Sequence, residues 1–191
     1  MMEKIDITDY PIIDIIKERW SPIIFSDKMI AEQDMIILFE AARWAPSCNN
    51  EQPWRYMYAF RGSDAFDKIV STLTGYNKVW AKDASVLLLS LSKQNFGSGK
   101  TPNYHYLYDL GAANAFIKLQ AQSMGIYTHT MAGFVNDEIR SLFDVSAEYD
   151  IASVMALGYM GDKEGRTEEM IQREEKPRSR KALEEIVKQL D

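Results

Sequence analysis

One cysteine, Cys48, and two histidines, His105 and His129, are all that the 191 residues hold of the soft ligands and nucleophiles. A single thiol closes no disulfide framework, and three such groups fall short of a four-ligand structural zinc site, so no metal is expected. A lone thiol suits a reducing cytoplasm. Basic residues are in the minority. Twenty-two Lys and Arg against 28 Asp and Glu leave a net charge of −6, which argues against a general attraction to nucleic acid or to an anionic membrane surface. An anion that binds here must meet a local cluster of Arg or Lys. Long apolar runs are missing as well. SVLLLSL, ending at Leu91, is far too short to span a bilayer, and the N-terminal MMEKIDITDY has no apolar signal core. The familiar catalytic signatures are also lacking: no G-x-G-x-x-G after a strand, no Walker loop, no G-x-S-x-G elbow and no H-E-x-x-H. If the chain is an enzyme, a bound cofactor carries the chemistry and no side chain needs to be catalytic.

What is present suits a packed globule: 46% hydrophobic and 12% aromatic residues on a length that buries a sizeable core within one domain, 1–191. Pro11 followed by Ile12, Ile13, Ile15, Ile16 and Trp20 predicts a short first helix. Glu32 to Trp44 predicts a second, with Met35, Leu38, Phe39 and Ala42 on one face, stopped by Pro46. RYMYAF after Pro53 reads as a strand. Ser63 caps a third helix carrying Phe66, Ile69, Val70 and Leu73. ASVLLLSLS, apolar throughout, reads as a central strand buried on both faces. Tyr104 to Met124 is the longest helical candidate, apolar over a broad surface and closed by Gly125, as expected in a core or at a subunit interface. IYTHTMAGF and IASVMALGYMG read as strands, with a helix capped by Asn136 between them. GDKEGRTEEMIQREEKPRSR, dense in charge, reads as a surface excursion, and KALEEIVKQL as an amphipathic tail. The interleaving predicts an α+β fold with a central mixed, mostly antiparallel sheet surrounded by helices.

WAPSCNNEQPW, Trp44 to Trp54, is the stretch richest in unusual polar residues. As a local element it is a helix-terminating turn in which Asn and Ser satisfy backbone groups, and its tryptophans are core. Arg19-Trp20-Ser21 taken alone is a helix C-terminus with a cation that the macrodipole favours. Arg178 and Arg180 stand in a charge run, the usual mark of a solvated face. His129 reads as a satisfied, partly buried histidine, and Cys48, with no histidine in a Cys-His signature, as a small buried residue.

In combination and in chain order these pieces resemble the FMN-dependent nitroreductase family. The motifs are an early Arg-x-Ser (Arg19 to Ser21), A-P-S-x-x-N-x-Q-P-W (Ala45 to Trp54), Asn77 ahead of the buried strand, and Asp109-x-Gly111 in the long helix. Thr130-Met131-Ala132-Gly133-Phe134 follows its strand, then Leu157-Gly158-Tyr159 and a closing Arg178-x-Arg180. The resemblance covers nearly the whole chain. It implies a homodimer with FMN at the interface. Arg19, Arg178 and Arg180 would hold the phosphate, which needs guanidinium forks on so acidic a protein. Trp20 and Ser21 would lie along the ribityl and phosphate side. Pro46, Ser47 and Asn50 would reach the flavin from the partner subunit, and the amide of Asn77 would meet the pyrimidine edge. Backbone N–H groups in the Thr130, Met131, Ala132, Gly133 segment would face flavin N5, with Gly133 allowing close approach.

The implied activity is ping-pong transfer from NADH or NADPH to a small electron-poor acceptor such as a nitroaromatic or a quinone, the flavin reacting and the protein orienting it. Two positions depart from the pattern: Ile23 and Trp80 stand where relatives carry basic residues. A lower flavin potential, a different substrate, or replacement by Lys78 or Arg55 are the open consequences. A flavin-binding module with little turnover and an enzyme acting on an activated alkene are the alternatives to the nitroreductase reading.

Overall fold

A strand that is apolar on both faces has to be covered on both, and this demand arranges the rest of the chain. In the computed structural model, whose described residues are 8, 10–97 and 99–190, the elements run α1 (Asp14–Glu18), α2 (Glu32–Arg43), β1 (Trp54–Phe60), α3 (Asp64–Thr72), α4 (Asn77–Trp80), β2 (Val86–Lys93), α5 (Tyr106–Ser123), β3 (Tyr127–Met131), α6 (Asn136–Leu142), β4 (Tyr149–Gly158) and α7 (Glu168–Glu175). The four strands form one sheet in the order β1-β2-β4-β3. The central position of β2 is as its composition predicts, and Val86 through Leu89 are wholly buried.

Every ladder among the described residues is antiparallel. The antiparallel majority of the expected mixed sheet is therefore what forms. Because β4 inserts between β2 and β3 and opposes both, the parallel relation of β2 to β3 exists only across β4 and not as a hydrogen-bonded pair.

Alternation along β2 and β4 divides the core in two. Val86 and Leu88 of β2 with Met155 and Leu157 of β4 face α2 and α5, whose buried seams are Met35, Leu38, Ala42 and Leu110, Ala113, Ile117, Ala121. On the other face Leu87, Leu89, Val154 and Ala156 meet α3, Trp80 of α4, Ile139 of α6 and the extended segment of Ile23, Ile24 and Phe25. The long helix closes as predicted. Gly125 takes a left-handed φ of 68°, and the Ile126 N–H returns to the Ala121 carbonyl at 2.8 Å. Ser63 caps α3 by accepting from the Phe66 N–H.

Two local expectations differ. Asn136 is the first helical residue of α6 and not its cap. Its amide donates to the Ile151 carbonyl at 3.2 Å, so the side chain ties the helix to the sheet. The charged excursion after Gly161 is also more than surface. Thr167 accepts from the Met170 N–H to start α7, and Met170 and Glu174, four residues apart on one face, are both buried. A charge-rich sequence hides such a stripe because two inward positions in eight residues barely alter its composition. The tail beyond it forms one short turn at Leu183–Glu185, with Ile186, Val187 and Leu190 exposed.

The N-terminal segment is locked against the end of β4. Phe25 bridges Met160, the Ser26 N–H donates to the Tyr159 carbonyl at 2.9 Å, and the Gly161 N–H to the Ile24 carbonyl at 3.0 Å. Gly158 and Gly161 permit this approach. A Cβ on Gly158 would lie 2.6 Å from the Phe25 ring, and one on Gly161 would lie 2.7 Å from the Phe25 carbonyl. Since a main chain yields less readily than a side-chain tip, Gly161→Ala is expected to destabilise by about 1–3 kcal/mol. In urea unfolding this reads as a lower midpoint at an unchanged m-value.

Candidate functional site

The lock between Phe25 and β4 leads the chain back along the sheet edge formed by β3. A cavity of about 560 Å³ opens there, lined by residues of three distant stretches: 19–23, 76–80 with His129, and 173–180. Its volume is in the range of about 300–1,000 Å³ usual for small-molecule and cofactor sites.

One wall is aromatic. Trp20 meets Tyr127 edge to face at 6.3 Å, Trp80 lies against His129 at 4.5 Å with an interplanar angle of 36°, and Tyr76 lies under the Arg173 guanidinium at 4.0 Å. The Tyr76 hydroxyl is buried without a hydrogen-bond partner among the described residues. Ile23 and Trp80, the two neutral departures, line the cavity and are buried. Neither Lys78 nor Arg55 joins the lining. Arg55 instead donates to the Gln52 and Trp54 carbonyls.

The other wall is cationic. Arg19, Arg173, Lys176, Arg178 and Arg180 line the cavity as well, with Glu174 the single acid among its lining residues. Glu174 accepts from the Ile23 N–H at 2.8 Å. Arg178 donates to the carbonyls of Arg19, at 2.8 Å, and of Lys17. The last carbonyls of α1 are thereby satisfied by a residue almost at the other end of the chain. Arg180 donates to its neighbour's carbonyl, Ser179. The Arg19 guanidinium is held below its usual range, first by burial and then by the charges of Arg178 and Arg180. Lys118 on α5 is pushed down by burial and then by Arg19. Half-buried like charges that depress one another are costly in a free protein and mark a place prepared for an anion.

Of the residues singled out in the sequence, Arg19, Trp20, Ser21, Asn77, Arg178 and Arg180 come together around this cavity. Gly133 adjoins it. Its carbonyl accepts from the Asn77 amide at 3.3 Å and from the Thr74 N–H at 2.9 Å, and a Cβ on Gly133 would come within 2.8 Å of that amide. Ala132 is exposed at the end of β3. Met131 is core. Thr130 pairs with Met155 and so faces the α5 side, its hydroxyl buried without a hydrogen-bond partner.

Pro46, Ser47 and Asn50 do not line the cavity within one chain. Their loop packs on α5, where buried Asp109 accepts from the Cys48 N–H at 3.1 Å. Ser47 accepts from the Gln52 N–H at 2.9 Å. Asn49, Asn50 and Gln52 all have φ between 52° and 55°, a left-handed conformation that Asn tolerates and Gln seldom adopts. Cys48 is half-buried.

Arg173, Glu174, Lys176, Tyr76 and His129 are cavity residues that reading the sequence did not select. The signal for His129 was its register: it lies two residues before Met131, hence on the same face of β3, in the strand that delivers Ala132 and Gly133. For α7 the signal was Thr167 ahead of Met170, a weak one in a charged stretch.

No family model matches the chain. A 15.4 kDa protein of Mycolicibacterium smegmatis, itself uncharacterized, is 34% identical over 128 residues, 65% of this chain and 85% of that protein. A protein of Archaeoglobus fulgidus, named provisionally as an NADH dehydrogenase/NAD(P)H nitroreductase, is 26% identical over 79% of this chain and 86% of its own length. The crystal structure of an oxidoreductase containing FMN superposes with a TM-score of 0.91 at 30% identity, over 98% of this chain and 96% of that one. A nitroreductase fold from Desulfovibrio desulfuricans, solved in complex with FMN, shares the fold at a TM-score of 0.75 and 19% identity over 96% and 99% of the two chains. With the cavity, its arginines and the fold in agreement, the chain belongs to the nitroreductase family of FMN-dependent oxidoreductases.

Proposed function

We propose that the protein is a homodimeric, cytoplasmic oxidoreductase whose domain, 1–191, binds FMN in this cavity. The observation that carries the reading is the cluster of half-buried Arg19 and Arg178 with exposed Arg180, whose combined charge on Arg19 an anionic phosphate relieves. The residues present fit the cofactor. Arg19 and Arg180 offer guanidinium forks, and Arg178 holds Arg19 in place through its carbonyl. Trp20, Ile23, Tyr76 and Trp80 supply an apolar and aromatic wall for a planar ring. Asn77, steadied by the Gly133 carbonyl, presents its amide to the ring's polar edge.

When bound, FMN supplies two-electron chemistry between NADH or NADPH and a small electron-poor acceptor, such as a nitroaromatic or a quinone, in ping-pong order. The chain binds, orients and excludes water, with no side-chain acid or base required. Pro46, Ser47 and Asn50 serve the site of the other copy. Support for that arrangement comes from the left-handed loop that carries them and from exposed apolar residues nearby, Tyr104, Leu107 and Tyr108. No helix among the described residues is long and apolar enough to cross a membrane.

Four outcomes are expected. The purified protein is yellow and releases FMN on denaturation; a colourless protein that cannot be reconstituted removes the central claim. Arg19→Ala weakens FMN by about 10–100-fold, the loss of a charged hydrogen bond worth about 1.5–3 kcal/mol. Riboflavin, which has no phosphate, binds Arg19→Ala as it binds the parent, and equal loss for both ligands would take Arg19 away from the phosphate. Mixed anaerobically with NADH or NADPH in a stopped-flow instrument, the bound flavin bleaches with at least one donor. A flavin that bleaches with neither identifies a binding module. Sedimentation gives a dimer, and FMN is lost on dilution below its dissociation range.

A further inference from the structure

His129 is the one imidazole in the cavity wall, and the chemistry assigned so far makes no use of it. Its Nδ1 lies 2.9 Å from the Pro22 carbonyl. A carbonyl only accepts, so Nδ1 carries a proton in either charge state and Nε2 is the position that titrates. The ring lies against Trp80 at 4.5 Å, tilted by 36°, a contact that limits its rotation. It therefore cannot swing away to solvent without breaking both contacts.

Lys118 is the charged group that acts on the ring, and the charged groups that share its cavity are of one sign with a single exception. Lys118 approaches from α5, and Arg19 comes from the segment preceding Pro22. Arg173, Lys176, Arg178 and Arg180 come from α7 and the chain following it, and Glu174 is the acid among them. The α4 residues in the wall, Asn77 and Trp80, are uncharged. Burial pushes the imidazole below its ordinary range, the Pro22 and Ser21 carbonyls pull it back up, and Lys118 lowers it again. In the free protein near neutral pH the ring is accordingly neutral. Arg19, Lys118 and His129 are coupled in turn, Arg19 acting on Lys118 and Lys118 on His129.

We infer that His129 is a further member of the anion site, a proton-linked cation that charges when a flavin phosphate enters the cavity and so favours FMN over riboflavin. This rests on the FMN reading above. The proton comes from solvent, no bond other than N–H is formed, and no electrons move. The sign follows from the charges. Burial is the first cause of the neutral ring and Lys118 a lesser one; a dianion beside Arg19 offsets the positive charge that Arg19 and Lys118 place at this end of the cavity, so the folded, FMN-bound pKa lies above the folded, free one. Binding then takes up a proton between the two values, and FMN affinity gains as pH falls through that window. The phosphate's own titration works in the opposite direction, because protonating it weakens its attraction to arginine, so the contribution of His129 is read as the difference between the parent and His129→Gln.

The chain's two histidines make the test direct. His105 is exposed and serves as an internal reference in histidine ring NMR. Titrated without ligand, with FMN and with riboflavin, the full-length protein should show the His129 midpoint rising by about one pH unit with FMN, a tenfold linkage. Riboflavin should leave it unmoved or lower it. Whatever His129→Gln costs riboflavin, its ratio of FMN to riboflavin affinity should not rise toward acid pH as the parent's does. A His129 midpoint that stays or falls with FMN bound overturns the inference, as does the same pH profile of FMN affinity in His129→Gln. Failure to bind FMN under any condition would instead overturn the reading on which the inference rests.

Discussion

The contact on which the cavity depends is the grip of Arg178 on the end of α1. Its guanidinium donates to the carbonyls of Lys17 and Arg19, acceptors that a helix leaves without intrahelical donors. A cation at that terminus also meets the negative end of the helix dipole. Glu174, a few residues earlier, accepts from the Ile23 N–H in a buried setting. These two contacts bind the C-terminal stretch to the segment that begins the fold, and the space between them is the cavity. Each cavity group on the N-terminal side owes its position to them. The Arg19 side chain is directed by a backbone that Arg178 holds, and the Pro22 carbonyl that orients His129 lies one residue before the Glu174 contact.

Such closure concentrates positive charge, which a free protein tolerates only at a cost. Arg19 and Lys118 are both lowered by burial and then by neighbouring cations, so a part of the folding free energy is held back at this end of the molecule. The rest of the core carries that burden. A two-sided apolar sheet, with β2 wholly buried along most of its length and α5 packed by a four-residue seam, does not depend on the cavity for its stability. An anion that neutralises the cluster stabilises the folded state by mass action, in proportion to its affinity. Site and scaffold are thus arranged as opposites, one dense and apolar, the other open and charged.

Legibility in the sequence follows the same division. β2 announced its central position by being apolar at every residue, α5 by its length and its Gly125 stop, and α3 by the Ser63 cap, because each of these rests on local pattern. The loop from Trp44 to Trp54 stood out for residues that tolerate unusual backbone, and Asn49 and Asn50 do adopt it. What escaped detection was long-range. Nothing near Arg178 in the sequence says that it will satisfy carbonyls 159 and 161 positions away. Nothing near Thr167 says that Met170 and Glu174 will point inward from a charged stretch. Asn is a common cap, but the Asn136 amide donates to the Ile151 carbonyl, a partner that only the folded sheet supplies. His129 was read as satisfied, which is true of Nδ1 and leaves the other ring nitrogen unaccounted for.

The WAPSCNNEQPW loop bears on how many chains make a site. Its residues spend their polar groups within the loop and on α5, Ser47 on the Gln52 N–H and Cys48 on Asp109. These two anchors hold a left-handed turn that a relaxed chain would abandon, and Gln52 in particular has no intrinsic reason to stay there. A fold that merely needed to end α2 has simpler means in Pro46. The strained turn, and the exposed Trp44 and Tyr108 at the adjoining ends of α2 and α5, are economical only if something outside the chain uses them. The dimer proposed above gives them such a use, since a two-fold arrangement presents the same loop to both cavities at once.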